Sequence, residues 1–262
     1  MTNVTRENID RFGGFAGLYN ASRPVPPQII AKSILMYLPS SPELVVDIGS
    51  GTGLSTMIWR DIAQCIIGIE PNDDMRRIAV ETQGCASPAK NVVFRKGFSN
   101  RTGLPDESAD VVTISQAFHW MDIPSTLDEV WRILKPGGVF AVYDCDWPPC
   151  VDWVVEQAQD VLVRKCDAAS PPALKNDKSA HLRRLSEYGR FRFVREIVCH
   201  SVEPCTPERM IGIATSQGSV QGALKLNPAI SKDVDTFCNI VRERCPDKFE
   251  IVFSYRLRLA IK

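Results

Sequence analysis

The sequence predicts an α/β protein whose mostly parallel sheet is wound on both faces by helices. Between residues 43 and 145, short apolar segments rich in Val and Ile alternate with amphipathic segments of helical length. Such alternation is typical of βαβ units in a parallel sheet. A glycine-rich turn directly follows the first of these strands, where open parallel sheets bind ligands. The 262 residues are enough for one large α/β domain, or for a core with an elaborated cap.

Each element of the first half has its own local signal. Residues 26–38 start at prolines and repeat apolar residues at helical spacing, which predicts a helix. Apolar runs without polar alternation predict strands buried on both faces. Such strands are expected at 43–49 and 65–70, with further strands at 91–97, 109–116 and 139–145 and helices at 54–64, 73–84 and 124–134.

The second half changes in composition at residues 146–153, where prolines and tryptophans cluster. Two long alternating segments, 191–203 and 249–262, are predicted to be strands. The second of them could close the sheet as an antiparallel partner. Helices are expected at 150–167, 178–188, 206–217 and 230–244.

Charge and hydropathy disfavour several classes of function. Lys plus Arg and Asp plus Glu number 31 each, so a globally basic nucleic-acid binder is disfavoured. Five arginines and three aromatic residues in 181–196 could mark an RNA surface, but they fit the two faces of a sheet strand better, as do Arg256 and Arg258. No run reaches the ~18 apolar residues of a membrane span. The polar first residues lack a signal-peptide core, which predicts a cytoplasmic protein without membrane contact.

The nine cysteines give no metal or redox motif. Their number is odd, and no C-x-x-C pair occurs. Several lie in apolar runs, where a reduced thiol packs as a small hydrophobic group. They are predicted to be free thiols, and no metal site is expected.

The glycine turn has a spacing that separates classes of nucleotide ligand. Gly49, Gly51 and Gly53 alternate, whereas dinucleotide enzymes would need glycine at the position of Leu54. No Lys-Ser or Lys-Thr pair follows, which excludes a triphosphate P-loop. Glu70 ends the second strand and could accept hydrogen bonds from two ribose hydroxyls. The pattern favours a ligand with an unphosphorylated ribose.

With these features, the chain resembles the class I S-adenosylmethionine-dependent methyltransferases. The resemblance covers at least residues 43–145 and implies a Rossmann-like, seven-stranded sheet with an antiparallel C-terminal strand and S-adenosyl-L-methionine as cofactor. It divides the chain into an N-terminal lid and first helix (1–40), a cofactor-binding core (41–145), helical cap insertions with strand six on the acceptor side (146–248) and the closing strand (249–262). The four matching stretches are, in order, 45–53, 66–75, 103–122 and 132–144.

The resemblance also implies the cofactor contacts. Asp47 would orient the methionine amino group, directly or through water, and Arg23 would lie near the carboxylate. Phe98 departs from the small or acidic residue usual after the third strand. It could pack on the adenine, leaving Ser99 for the ring nitrogens, or could simply close the core. The remaining expected contacts are Gly49, Ser50, Gly51 and Gly53 in the turn, Glu70 and Pro71 at the ribose, and Gln116.

The stretch 115–122, Ser-Gln-Ala-Phe-His-Trp-Met-Asp, points to a narrower group. Within the family it is similar to methyltransferases of small organic acids of the trans-aconitate type. By that likeness Tyr19 would lie over the methyl group. His119 could be a general base or could only shape the pocket, and Trp120 could exclude water or pack in the core.

These observations predict methyl transfer to an oxygen or nitrogen of a small-molecule acceptor, with carboxylates among the candidates. No metal ion is required by that chemistry, since alignment supplies most of the acceleration. RNA or protein methylation, with 181–196 as a docking surface, and a non-catalytic S-adenosylmethionine-binding protein are the alternatives. An NAD-dependent dehydrogenase is the weakest candidate. The sequence does not indicate an oligomeric state.

Overall fold

A seven-stranded sheet organises the chain, in the order β3-β2-β1-β4-β5-β7-β6. The computed structural model describes residues 9, 13–85, 90–169 and 175–262, without the side chains of 83–85. The strands are β1 (Leu44–Ile48), β2 (Cys65–Ile69), β3 (Val92–Arg95), β4 (Ala109–Ser115), β5 (Leu134–Cys145), β6 (Phe193–Cys205) and β7 (Phe249–Ile261).

The predicted mostly parallel sheet is confirmed. Strands β1 to β5 pair in parallel, and β7 pairs antiparallel with both β5 and β6. The strand order reverses between β1 and β4, which opens a crevice at the carboxyl ends of those two strands. Strand β5 begins at Leu134, five residues before the predicted start, because Ala109 of β4 already pairs with that residue.

The helices pack on both faces of the sheet and over its carboxyl edge. Two of them, α1 and α8, lie in segments for which the sequence predicted no helix. Helix α1 contains Gly17 and α8 contains Gly222, and glycine weakens the helical signal. The helices are α1 (Ala16–Ser22), α2 (Gln28–Leu35), α3 (Asp73–Cys85), α4 (Ile123–Ile133), α5 (Trp153–Ala169), α6 (His181–Glu187), α7 (Pro207–Thr215), α8 (Gly218–Leu226) and α9 (Ser231–Arg244).

The prediction of a helix over 54–64 is wrong. A single 3₁₀ turn, Thr56–Trp59, occupies that segment. The hydroxyls of Ser55 and Thr56 donate to the buried Asp47 carboxylate. The Asn91 amide donates to the carbonyl oxygens of Arg60 and Ala63 at 2.8 and 2.9 Å, in place of a further helical turn. Side-chain bonds therefore compete successfully with helical backbone bonds here.

The prediction that Arg258 lies on a solvated face is also wrong. Strand β7 is an inner strand, and Arg258 is 3% exposed. Its Nε donates to Glu196 Oε2 at 2.7 Å and its Nη1 to Asp144 Oδ2 at 3.2 Å. These two carboxylates compensate the buried charge.

Two apolar cores cover the two faces of the sheet. The larger contains Trp59, Ile30 and Ile34 and extends to the cap helices. The smaller contains Phe118, Phe140 and the apolar face of α4. Together they fix the ends of β1 to β5, where the predicted site residues lie.

Among the described residues, no helix combines the length and the apolar character needed to cross a membrane. The eight cysteines with described side chains are free thiols, as predicted.

Candidate active site

The carboxyl ends of five neighbouring strands line one cavity of about 460 Å³. Because adjacent strands lie about 4.8 Å apart, the five ends span roughly 19 Å. From β3 to β5 they contribute Phe98, Glu70, Gly51, Gln116 and Trp147 in that order. The cavity is therefore a groove along the sheet edge that crosses the point where the strand order reverses.

The glycine turn gives each glycine a different task. Gly49, Gly51 and Gly53 have φ of 71°, 56° and 88°, a region that favours glycine. A Cβ on Gly49 would lie 2.8 Å from Ala117 Cβ, and one on Gly53 would lie 2.8 Å from Phe94 Cζ. A Cβ on Gly51 would meet no atom within 4 Å. Gly49 and Gly53 permit close packing, whereas Gly51 keeps open the space in front of the turn.

Glu70 is bound to the glycine turn. Its Oε2 accepts the Gly51 N–H at 2.9 Å and its Oε1 accepts the Asn72 N–H at 2.8 Å. Burial raises the pKa of the Glu70 carboxyl to about 7, although these two backbone amides oppose the shift. Both oxygens retain lone pairs that could accept from a ligand in the cavity.

Asp47 lies beneath the turn and is not among the residues that line the cavity. Its carboxylate is fully buried and accepts hydroxyl hydrogen bonds from Ser55, Thr56 and Thr113 at 2.6, 2.7 and 2.8 Å. Burial raises its pKa, and the three hydroxyls counteract that shift. The carboxylate joins β1, β4 and the turn, so the predicted direct contact with a ligand has no support from this placement.

Two other predicted cofactor contacts also lie away from the main cavity. Gly53 packs on Phe94 behind the turn. Ser50 lines a small adjoining pocket of about 60 Å³, and its buried hydroxyl has no hydrogen-bond partner. Any part of these two residues in ligand binding would be limited to the backbone or to that side pocket.

Beyond Glu70, the groove becomes apolar. Phe98 and Ser99 line it together with Ile69 and Met75, and Pro71 lies beside them. The Ser99 hydroxyl is 2.8 Å from the Thr126 hydroxyl, so it already has a hydrogen-bond partner within the protein. Apolar walls next to a polar backbone suit a flat heterocycle.

On the other side of the turn, Gln116 lies between the β4 end and the cap. Its φ of 53° is unusual for a residue other than glycine. Its Oε1 accepts from Lys178 Nζ at 2.8 Å. Lys178 in turn lies 3.1 Å from Asp144 Oδ1. Sequence patterns gave no signal for Lys178 at the site, because this residue begins the 3₁₀ turn Lys178–Ala180, which reaches the groove only in the folded chain.

His119 and Trp120 form the wall of the groove near this lysine. Their rings are 4.9 Å apart, and His119 is 4% exposed. Burial, together with Lys178, Lys175 and His181, lowers the pKa of His119 well below its usual value. The imidazole is therefore neutral at pH 7 and its protonated form is disfavoured. Lys175 Nζ lies 5.5 Å from the Trp120 ring centroid.

Tyr19 and Arg23 reach the groove from the N-terminal segment. The Arg23 guanidinium lies between two rings, 4.9 Å from the Tyr19 centroid and 4.7 Å from that of Trp147. Its Nη2 donates to the Ser216 carbonyl at 3.2 Å, while its buried Nε has no partner. Burial raises the pKa of Tyr19. The predicted pair thus lies at the groove, and Trp147 is an addition that the sequence did not reveal.

Comparison with protein families gives a match over strands β1 to β5 of the sheet. Residues 46–142 match the model of the methyltransferase domain family. The matched range runs from β1 to β5 and so includes the four strand ends that carry Gly51, Glu70, Phe98 and Gln116.

Individual relatives agree with this match. An uncharacterized methyltransferase of Mycobacterium tuberculosis is 32% identical over 138 residues, 53% of each chain. A probable S-adenosylmethionine-dependent methyltransferase of Saccharomyces cerevisiae is 29% identical over 136 residues, 52% of this chain and 47% of its own. The chain thus spans about half the length of the curated relatives it matches.

A solved structure is similar over almost its whole length. The protein from Anaeromyxobacter dehalogenans, assigned as a type II methyltransferase, has a TM-score of 0.68 with 20% identity. The similarity covers 91% of this chain and 97% of that one. At this level of identity the likeness concerns the fold.

Proposed function

We propose that this chain, whose residues 46–142 match the methyltransferase domain family, is a class I S-adenosylmethionine-dependent methyltransferase that methylates an oxygen or nitrogen of a small anionic molecule. The observation that carries the proposal is the single groove. One part offers Glu70 and an open glycine turn, and another offers Lys175 and Lys178 beside His119 and Trp120. A cofactor site and an acceptor site would then share one cavity.

The residues present fit S-adenosylmethionine. Gly51 leaves open space at the turn, and Glu70 retains acceptor positions for two ribose hydroxyls. The partnerless Nε of Arg23 could bind a carboxylate, with Tyr19 beside it. Phe98 and the Ser99 backbone would flank the adenine. When bound, this cofactor supplies an electrophilic methyl group on a sulfonium.

An anionic acceptor is favoured by the fixed ammonium of Lys178. Lys175 and Lys178 line the groove, and its lining also includes the carboxylates of Asp122 and Asp167. Lys178 is held by Asp144 and Gln116, so its ammonium is fixed rather than left to solvent. A carboxylate acceptor is already ionised at pH 7 and needs only orientation. Such an acceptor needs no strong base to remove a proton. This agrees with His119, whose protonated form is disfavoured.

Docking of a nucleic acid on 181–196 is not supported by the contacts of its arginines. Arg192 donates to the Lys262 carbonyl, Arg195 to the Tyr37 hydroxyl and Arg184 to the Asp177 carbonyl. Arg190 lies on the Trp131 ring, 4.5 Å from its centroid. These side chains hold β6 and α6 within the fold.

The first experiment is a calorimetric titration with S-adenosylmethionine and, separately, with NAD. Micromolar binding of S-adenosylmethionine alone is expected, followed by transfer of labelled methyl to members of a panel of di- and tricarboxylates. Preference for NAD would overturn the proposal. Binding without transfer to small acids, phenols, amines, RNA or protein would instead support the non-catalytic alternative.

Lys178→Met is expected to raise the KM for an anionic acceptor about tenfold, because a fixed charge-assisted contact is lost. The Kd for S-adenosylmethionine should change by less than about twofold, since the cofactor part of the groove keeps its charges. Initial rates at saturating cofactor give the KM. Lys165→Met, on the outer surface of α5 and paired with Asp233, is the matched control. An unchanged KM would remove Lys178 from the acceptor site.

The pH dependence of cofactor binding should follow the ionisation of the Glu70 carboxyl. Its folded pKa is raised to about 7, so the carboxylate forms as the pH rises through 7. Because the charged form is the better acceptor for ribose hydroxyls, affinity should increase between pH 6 and pH 8 and level off above. Calorimetry across this range checks it, with Glu70→Gln expected to give a flat profile. A wild-type profile that is flat or falls with pH would contradict the role.

The glycine turn offers a pair of substitutions that separate folding from binding. Gly49→Ala should lower the free energy of unfolding by about 2 kcal/mol, since the new Cβ is strained at positive φ and strikes Ala117. Gly51→Ala carries only the strain, about 1 kcal/mol, but places a methyl group in the groove. Denaturant unfolding should therefore show the larger loss of stability for Gly49→Ala, whereas calorimetry should show the larger loss of cofactor binding for Gly51→Ala. Equal cofactor affinity of the Gly51 variant and the wild type would mean that the ligand binds elsewhere.

A further inference from the structure

Three buried side chains meet behind the wall of the groove. His119 follows β4, Asp144 lies near the end of β5, and His181 begins α6. His119 Nδ1 is 3.8 Å from Asp144 Oδ1, and His181 Nε2 is 3.8 Å from Asp144 Oδ2. One ligand atom from each lies within 4.8 Å of the other two. We infer that His119, Asp144 and His181 bind a divalent transition-metal ion of the zinc class.

The nitrogen atoms of this cluster lack hydrogen-bond partners. His119 Nδ1 and both ring nitrogens of His181 are buried and unpaired. His181 is fully buried and His119 nearly so. A buried polar atom without a partner destabilises a fold by about 1–3 kcal/mol, so such atoms are uncommon without a ligand or a water. Two of them, His119 Nδ1 and His181 Nε2, lie 3.8 Å from oxygens of one carboxylate, which points to a shared ligand.

The donor set suits zinc. Two imidazole nitrogens and one carboxylate oxygen form a common three-residue zinc set, which leaves a fourth position. Burial lowers the pKa of His181 to about 4 and that of His119 well below its usual value. Both imidazoles are then neutral at pH 7, as metal ligation requires. His119 also lines the groove, so the ion would lie next to the proposed acceptor.

Two cations compete for the same carboxylate. Lys178 Nζ lies 3.1 Å from Asp144 Oδ1, and Arg258 Nη1 lies 3.2 Å from Oδ2. Arg258 keeps a second partner in Glu196, and Lys178 keeps one in Gln116. Metal binding would displace Lys178 from Oδ1 while Arg258 stays in place. Removal of the Lys178 charge should therefore tighten metal binding, whereas a water held by the cluster would give no such effect.

The test is a Co²⁺ titration of chelator-treated protein. The expected result is the visible absorption of four-coordinate cobalt at one equivalent, displaced by Zn²⁺. His181→Leu should abolish it, and Lys178→Met should lower the cobalt Kd about tenfold. His200→Ala should leave it unchanged, because His200 is exposed on β6 and hydrogen-bonded to Ser254.

A second measurement needs no buried substitution. The chain has three histidines, so histidine-labelled protein gives three imidazole signals. Zn²⁺ should shift two of them and leave the third, assigned to His200 with its alanine variant. Shifts confined to His200, no shifts, or a thiolate-to-cobalt charge-transfer band in place of the nitrogen-ligand spectrum would overturn the inference. The metal-site inference does not rest on the proposed function. S-adenosylmethionine binding is measured separately on the same samples, so failure of one can be told from failure of the other.

Discussion

Glu70→Ala is expected to weaken S-adenosylmethionine binding about 100-fold, which corresponds to about 3 kcal/mol. The substitution removes two hydrogen bonds that a carboxylate makes to the backbone, one to Gly51 and one to Asn72. Gly51 is the residue that leaves the groove open, so the turn loses its support at the position where a ligand would contact it. The proposed acceptor of the ribose hydroxyls disappears at the same time. Calorimetric titration at pH 8, above the raised pKa of this carboxyl, gives the largest difference from the wild type.

A second glutamate, on the helix that follows β2, separates this effect from a loss of charge. Glu81→Ala changes an exposed residue of α3 that pairs with Arg77 on the surface. We expect its binding curve to overlay the wild type, since surface pairs contribute less than about 1 kcal/mol. Should Glu70→Ala bind the cofactor within threefold of the wild type, while circular dichroism shows it folded, the ribose would have to be recognised elsewhere.

The core sheet could be predicted because both of its signals are local. A strand buried on two faces requires a continuous apolar run, and a strand-to-helix turn at positive φ favours glycine. Strands β1, β2, β4 and β5 carry the first signal, and Gly49 to Gly53 carry the second. The sheet determines the positions of the site residues that follow strand ends, such as Glu70 and Gln116. For these residues the sequence is sufficient to predict that they lie at the groove.

Other site residues depend on contacts between distant segments, which no local pattern encodes. Lys178 reaches Gln116 across 62 residues, and Arg23 reaches the Ser216 carbonyl across 193. Asp47 has the sequence position of a ligand contact, but three hydroxyls from two other parts of the chain surround it. Such side-chain pairings decide which face of an element a polar group uses. They explain why Lys178 and Trp147 were not predicted at the groove, and why Asp47, which lies beneath the turn, was predicted to contact a ligand.

Trp59→Ala is expected to lower the free energy of unfolding by about 4 kcal/mol, the effect of a large cavity in a packed core. Trp59 is fully buried in the larger core, and its indole N–H has no partner, so the loss comes from packing alone. It ends the 3₁₀ turn whose Ser55 and Thr56 hydroxyls hold Asp47, and the Met57 N–H of that turn donates to the Gly53 carbonyl. Loss of this packing should therefore loosen the glycine turn and weaken cofactor binding as well as stability. Denaturant unfolding followed by circular dichroism measures this loss. The control is Trp153→Ala, at a residue of α5 that is 72% exposed, and its free energy of unfolding should stay within about 0.5 kcal/mol of the wild type. Similar free energies of unfolding for the two variants would mean that Trp59 does not anchor the turn.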